Sequence, residues 1–116
     1  METPQIEKYR HDLEIIRNTA QQVIKDFSLH GVEITFSGNE LTAYDELKQQ
    51  LIPALAKLHQ AGTFTALLYR IDVDEKKVNE ILNNSATKDI ASQLASLVIE
   101  REFMKVLLRK LYSGSK

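Results

Sequence analysis

The sequence predicts an all-α fold, a compact bundle of four to five helices with one short extended connector at residues 32–36. Three observations lead there. The run from Thr87 to Tyr112 is long and carries apolar residues on two faces, so it suits a central helix clasped by neighbours. From Ile6 to Phe27 a seven-residue apolar repeat is sustained, the seam of a helix in a bundle or coiled coil. Between these two runs, helix stop and start signals follow one another closely. The alternative is an α+β fold in which residues 32–36 pair as a two-stranded unit with residues near Leu67–Val73.

The first helix is expected to start at Thr3 as cap, with Pro4 in the first helical position and Glu7 in an early turn. Its stripe is Ile6, Tyr9, Leu13, Ile16, Ala20, Val23 and Phe27, and Gly31 can end it in a left-handed turn. Val32, Ile34 and Phe36 then alternate with Glu33 and Thr35, a strand-like period with nothing obvious to pair with. This stretch is expected to lie over the bundle on its apolar side.

A second helix is expected from Ser37. Ser37 and Glu40 have capping-box spacing, and Phe36 and Leu41 have that of a hydrophobic staple. Its stripe runs Leu41, Tyr44, Leu47, Leu51, Leu55 and Leu58 to a stop near Ala61–Gly62, with Pro53 inside it as a predicted kink. Thr63 is the expected cap of a short helix carrying Phe64, Leu67, Leu68 and Ile71. Asp74 caps another to about Leu82, with Val73 and Val78 as its staple. Asn83, Asn84 and Ser85 form a loop before the final helix. One face of that helix shows Ile90, Leu94, Leu97, Met104, Leu108 and Leu111; the other shows Ala95, Ile99, Phe103 and Val106.

With 116 residues, 43% of them hydrophobic and 27% charged, the chain reads as a single globular domain over 1–116 that buries a core without staples. It has no cysteine, which removes disulfides, thiolate metal sites and cysteine nucleophiles, and suits a cytoplasmic setting. No secretory leader pattern opens it and no apolar run approaches membrane-spanning length, so no membrane association is expected. The net charge of −1 gives no general attraction to nucleic acid, and none is expected as a partner.

Chemistry-bearing patterns are sparse. Glu7, His11 and Glu14 share a helix face at metal-like spacing. No second helix supplies the Glu-x-x-His partner a carboxylate-bridged site needs, so no metal is expected. His30 and His59 stand near helix ends, where a cation suits the dipole, and no nucleophile motif accompanies either. The glycines are scattered and make no phosphate loop; no cofactor is expected. Lys105, Arg109, Lys110 and Lys116 read as a solvated basic end of the last helix.

Arg101 stands out because it falls in the seven-residue seam between Leu97 and Met104, where an apolar side chain belongs. A buried arginine must find a carboxylate or carbonyls. Glu100, Glu102, Tyr69 and Asp72 are the candidate companions, as a structural ion pair or as a ligand-binding cluster. Two functions follow from these readings. A non-enzymatic interaction or self-assembly module, with a protein partner or a homodimer, would use the two-faced last helix and the seam of the first. A small-molecule-binding or enzymatic bundle would use Arg101 and its companions.

Overall fold

The computed structural model describes residues 9–84 and 87–113. Among them are five α-helices: α1 (Leu13–Ser28), α2 (Ala43–Gln60), α3 (Phe64–Ile71), α4 (Glu75–Asn84) and α5 (Thr87–Ser113). A single 3₁₀ turn, Glu40–Thr42, precedes α2. No strand is present among the described residues, so the all-α architecture holds and the two-stranded alternative does not form. The bundle measures 44 × 34 × 22 Å. The long α5 packs most extensively on α2 and then on α1, while α3 and α4 close one flank.

The expected continuous helix is broken between Tyr9 and Leu13. Asp12 caps α1, its Oδ1 accepting from the Ile15 backbone N–H at 3.2 Å. Tyr9 belongs to a separate preceding turn, and the expected cap Thr3 lies outside the described residues. That break interrupts the seven-residue register. Ile16, Ala20, Val23 and Phe27 are buried as the stripe predicts, but Ile15 turns inward as well and Leu13 is half exposed.

Residues 32–36 are extended, with Ile34 buried and Val32 and Phe36 packed on the core. A lone strand leaves backbone groups unpaired. Gln50 of α2 supplies the missing edge: its Oε1 accepts from Thr35 N–H at 2.9 Å, and its Nε2 donates to Thr35 carbonyl at 2.8 Å. One side-chain amide stands in for one rung of a sheet.

The Ser37 capping box does not form. Asn39 takes over, its Oδ1 accepting from Leu41 N–H, and Ser37 turns to Glu46, whose carboxylate accepts from Ser37 N–H, Ser37 Oγ and Thr42 Oγ1. Two overlapping cap signals compete here, and the closer Asn39 wins. Leu41 therefore leaves the stripe and stands 88% exposed, so the staple with Phe36 is absent. Pro53 lies on the exposed face of α2, where the carbonyl it leaves without a donor can meet water.

Thr63 precedes α3 as expected but makes no cap bond; its hydroxyl points back to the Leu58 carbonyl. Asp74 does cap α4, accepting from Lys76 N–H at 3.0 Å, and Val73 and Val78 are both buried. Asn83 and Asn84 complete α4 instead of opening a loop; Ser85 lies outside the described residues.

Three helices end in the same way. The Val32, Thr63 and Val73 N–H groups reach back to the carbonyls of Phe27, Leu58 and Leu68, closing a Schellman motif each time. The left-handed residue is Gly31 in the first, Gly62 in the second and Asp72 in the third.

On α5 the buried residues come in adjacent pairs every four positions: Leu94 and Ala95, Val98 and Ile99, Glu102 and Phe103, Val106 and Leu107. A four-residue repeat slants across the helix surface, as neighbours packed on i±4 ridges require, and a heptad seam does not. Arg101 consequently leaves the seam for its flank. Glu102 takes the fully buried place, and Ile90, Leu97, Met104 and Leu108 are only partly covered.

Candidate functional site

Glu102 is 0% exposed and Asp26, from the last turn of α1, is 3% exposed. The two carboxyls converge on one ammonium, and both Glu102 oxygens are buried without a hydrogen-bond partner, an arrangement that favours a proton on one of the two acids. Lys105, one turn after Glu102, places its Nζ 2.8 Å from Glu102 Oε1 and 3.8 Å from Asp26 Oδ2, and donates to the Ile71 carbonyl at 3.2 Å. Gln22 donates to both Asp26 oxygens at 3.2 Å, and Arg70 Nε lies 3.6 Å from Asp26 Oδ1.

The proton belongs on Glu102. Burial pushes its carboxyl up to about 8, and the neighbouring Asp26 carboxylate pushes the same way against Lys105. For Asp26, burial acts upward too. The Glu102 carboxyl, the Gln22 amide and the charges of Lys105 and Arg70 outweigh it and hold the group below the ordinary aspartate range. Neither Asp26 nor Glu102 lines the two clefts described below.

The surface around this cluster is where the sequence-predicted residues go. Arg101 pairs with Asp72 at 3.0 Å, and the two line a cleft of about 550 Å³ together with Glu100, Lys77, Leu97 and Met104. Glu100 itself is held by Arg10, with Nη1 and Nη2 at 2.8 and 3.3 Å from its two oxygens. Tyr69 is 88% exposed on the far side of the α3–α4 corner. There it flanks a second groove of about 550 Å³ whose apolar side chains are Phe64, Leu68, Val73, Val78 and Leu82. Asp72, Asp74 and Glu75 edge that groove, and among the described residues no basic side chain lines it. Both clefts meet at Asp72, Val73 and Asp74.

The structure thus brings Asp72, Glu100 and Arg101 to one cleft, places Tyr69 with Asp72 in the other, and turns Glu102 into the core. Sequence reasoning missed Asp26, Lys105, Arg70 and Gln22. The one available signal was Asp26, an acid adjoining Phe27 within the apolar repeat of α1.

The basic end of α5 is not simply solvated. Lys105 serves the buried pair, Arg109 donates to Gln22, and Lys110 bridges Asp12 and Glu14 at 3.2 and 3.4 Å. Of the metal-like set, Glu7 lies outside the described residues, Glu14 holds Lys110, and His11 is exposed. Among the described residues no group of three or more histidines and carboxylates could hold a metal ion. His59 packs edge-on against Phe64, ring centroids 4.9 Å apart. No helix of the described residues is long and apolar enough to cross a membrane.

The class defined by this fold and this surface is a small all-α bundle with an acidic, apolar-floored corner. No family model, no curated protein and no solved structure matches the chain.

Proposed function

We propose that this protein is a non-enzymatic interaction module whose α3–α4 groove takes a basic, amphipathic segment of a partner protein. One observation carries the reading: the groove combines apolar side chains with Asp74 and Glu75 on its edge, beside Asp72, which Arg101 already pairs. A helix or extended segment with apolar anchors and flanking lysines or arginines complements both features. Tyr69, almost wholly exposed beside it, is the kind of amphipathic side chain that interfaces favour. A cytoplasmic setting suits this role.

A small-molecule site around Arg101 draws less support, because Arg101 and Glu100 are already engaged by Asp72 and Arg10. The self-associating version of the reading has its own footing. Leu111 and Tyr112 are exposed next to Arg109 and Lys110, so a second copy offers a segment of the required character.

The test is fluorescence anisotropy with two synthetic helical peptides, one of leucine and lysine and one of leucine and glutamate. Saturable binding of the lysine peptide alone, weakened at least about tenfold by Asp74→Lys with Glu75→Lys and by added salt, is expected. Equal binding of both peptides, or indifference to the double reversal, would overturn the reading. Sedimentation across a concentration series decides whether the occupant is a second copy.

A further inference from the structure

At eight residues, α3 is far too short to be stable alone, so its position depends on what holds it. Three side chains hold its last turn and cap. Lys105 donates to the Ile71 carbonyl, Arg70 reaches Asp26, and Arg101 reaches Asp72. The first two of these ties run through the buried carboxyl pair. Lys105 divides its ammonium among Glu102, Ile71 and Asp26 at 2.8, 3.2 and 3.8 Å.

With a proton on Glu102, the two acids around the Lys105 ammonium carry one negative charge between them. Without it, two carboxylates face each other in a desolvated site and both draw on the same ammonium. The Ile71 carbonyl is then the weakest of the three acceptors competing for Lys105, since it alone is uncharged.

We propose that the Asp26–Glu102 pair is a proton-operated latch on α3: sharing one proton docks the last turn of α3 on α5, and losing that proton loosens it. Because Leu68, Tyr69 and Asp72 of that turn line the docking groove, the latch sets one wall of the groove. The latch rests on the docking reading only for this consequence.

The groups facing Glu102 are Asp26 from α1 and Lys105 from α5, with Gln22 and Arg70 one step further through Asp26. Arg101 points outward to Asp72. Among the described interactions neither α2 nor α4 brings a charged group to Glu102. Burial of Glu102 places the proton's departure near neutral to mildly alkaline pH, where a cell can use it.

The experiment is amide hydrogen exchange on the unliganded protein and on Glu102→Gln, from about pH 6 to about pH 8.5, corrected for intrinsic rates. In the parent protein, Ile71, Asp72 and Val73 should lose protection relative to α1 by up to about tenfold per pH unit. In Glu102→Gln, which keeps a neutral donor beside Asp26, that slope should vanish. A carbon-13 titration of the Glu102 carboxyl in the parent protein should show the same midpoint. That titration decides the matter if the variant does not fold.

Protection of α3 that tracks α1 throughout, or a Glu102 carboxyl that titrates in the ordinary glutamate range, overturns the latch. Affinity for the lysine peptide, measured alongside, separates the two readings. If α3 responds to pH and no peptide binds, docking fails and the latch stands; a peptide bound by an unresponsive α3 is the reverse.

Discussion

Arg101 of α5 closes a 3.0 Å ion pair on Asp72, the one described non-glycine residue with positive φ, at 65°. At the matching helix ends the chain uses Gly31 and Gly62, which enter that region without steric cost. At Asp72 it accepts the strain and gains a charged side chain where the two clefts meet. The pair engages Arg101 through Nη2 only, and the Arg101 Nε is buried without a hydrogen-bond partner.

Asp72 is therefore expected to respond to shape more than to charge. Asp72→Asn, which tolerates the left-handed region, should change stability by less than about 1 kcal/mol, the usual worth of an exposed ion pair. Asp72→Ala should cost about 1–2 kcal/mol more, because its Cβ opposes the conformation with no compensating local hydrogen bond. Urea denaturation of the two variants checks the order. Equal losses would mean the ion pair, and not the backbone, dominates.

Gly31→Ala and Gly62→Ala test the other two helix ends. A Cβ added at either position meets nothing within 4 Å, so the whole effect comes from positive φ. Each substitution should destabilise by about 1 kcal/mol, read from the shift of the urea midpoint at constant slope. A loss several times larger would reveal a contact that the open surroundings do not show.

Stability should fall as the pH rises from about 4.5 to about 8. Glu102 keeps its proton in the folded protein up to about 8, whereas the unfolded chain releases it near 4.5. Over that interval the unfolded state binds fewer protons, so each pH unit favours it by up to about 1.4 kcal/mol. Asp26 works the other way. Its folded value lies below the ordinary 3.8, so its contribution is present above 3.8 and is lost as the pH drops through the lowered value. The cluster is thus most favourable between those two ordinary values. Glu102→Gln should flatten the alkaline side of the profile in thermal melts at several pH values. An unchanged slope would assign the pH dependence elsewhere.

Asp26→Asn attacks the same cluster from its charged member. The substitution leaves Lys105 with Glu102 alone and removes the carboxylate that Arg70 reaches, so it should cost about 3 kcal/mol, as loss of one partner from a buried ionic set commonly does. With the Asp26 charge gone, the Glu102 carboxyl should also titrate at lower pH than in the parent protein. Denaturation and carbon-13 NMR measure the two effects independently.

Gln50→Ala should free the 32–36 connector without unfolding the bundle. It removes the amide that pairs with both Thr35 backbone groups, on an exposed edge. Hydrogen exchange at Thr35 should quicken strongly while the amides of α2 stay protected.

The sequence by itself determined the helices, and the reason is local. Phe64, Leu67, Leu68 and Ile71 define the face of α3 through spacing alone, Asp74 caps α4 through its own carboxylate, and Gly31 and Gly62 stop helices through their φ freedom. Such signals act within a few residues and need no partner. Even there, overlapping signals were resolved by context. Asn39 displaced Ser37 as a cap, and Asp12 opens a new helix start inside the run that the apolar repeat joins from Tyr9 to Leu13. Tertiary packing alone decided which of two neighbours on α5 turned inward. A heptad places Arg101 in the seam. The buried pairs recur every four residues and put Glu102 there instead, beside Lys105 and close to Asp26, far away in the chain. The corner where Asp72, Val73 and Asp74 join two clefts is likewise a product of how α3 and α4 lean on α5. Periodicity records which residues share a face; the angle at which faces meet is a property of the assembled bundle.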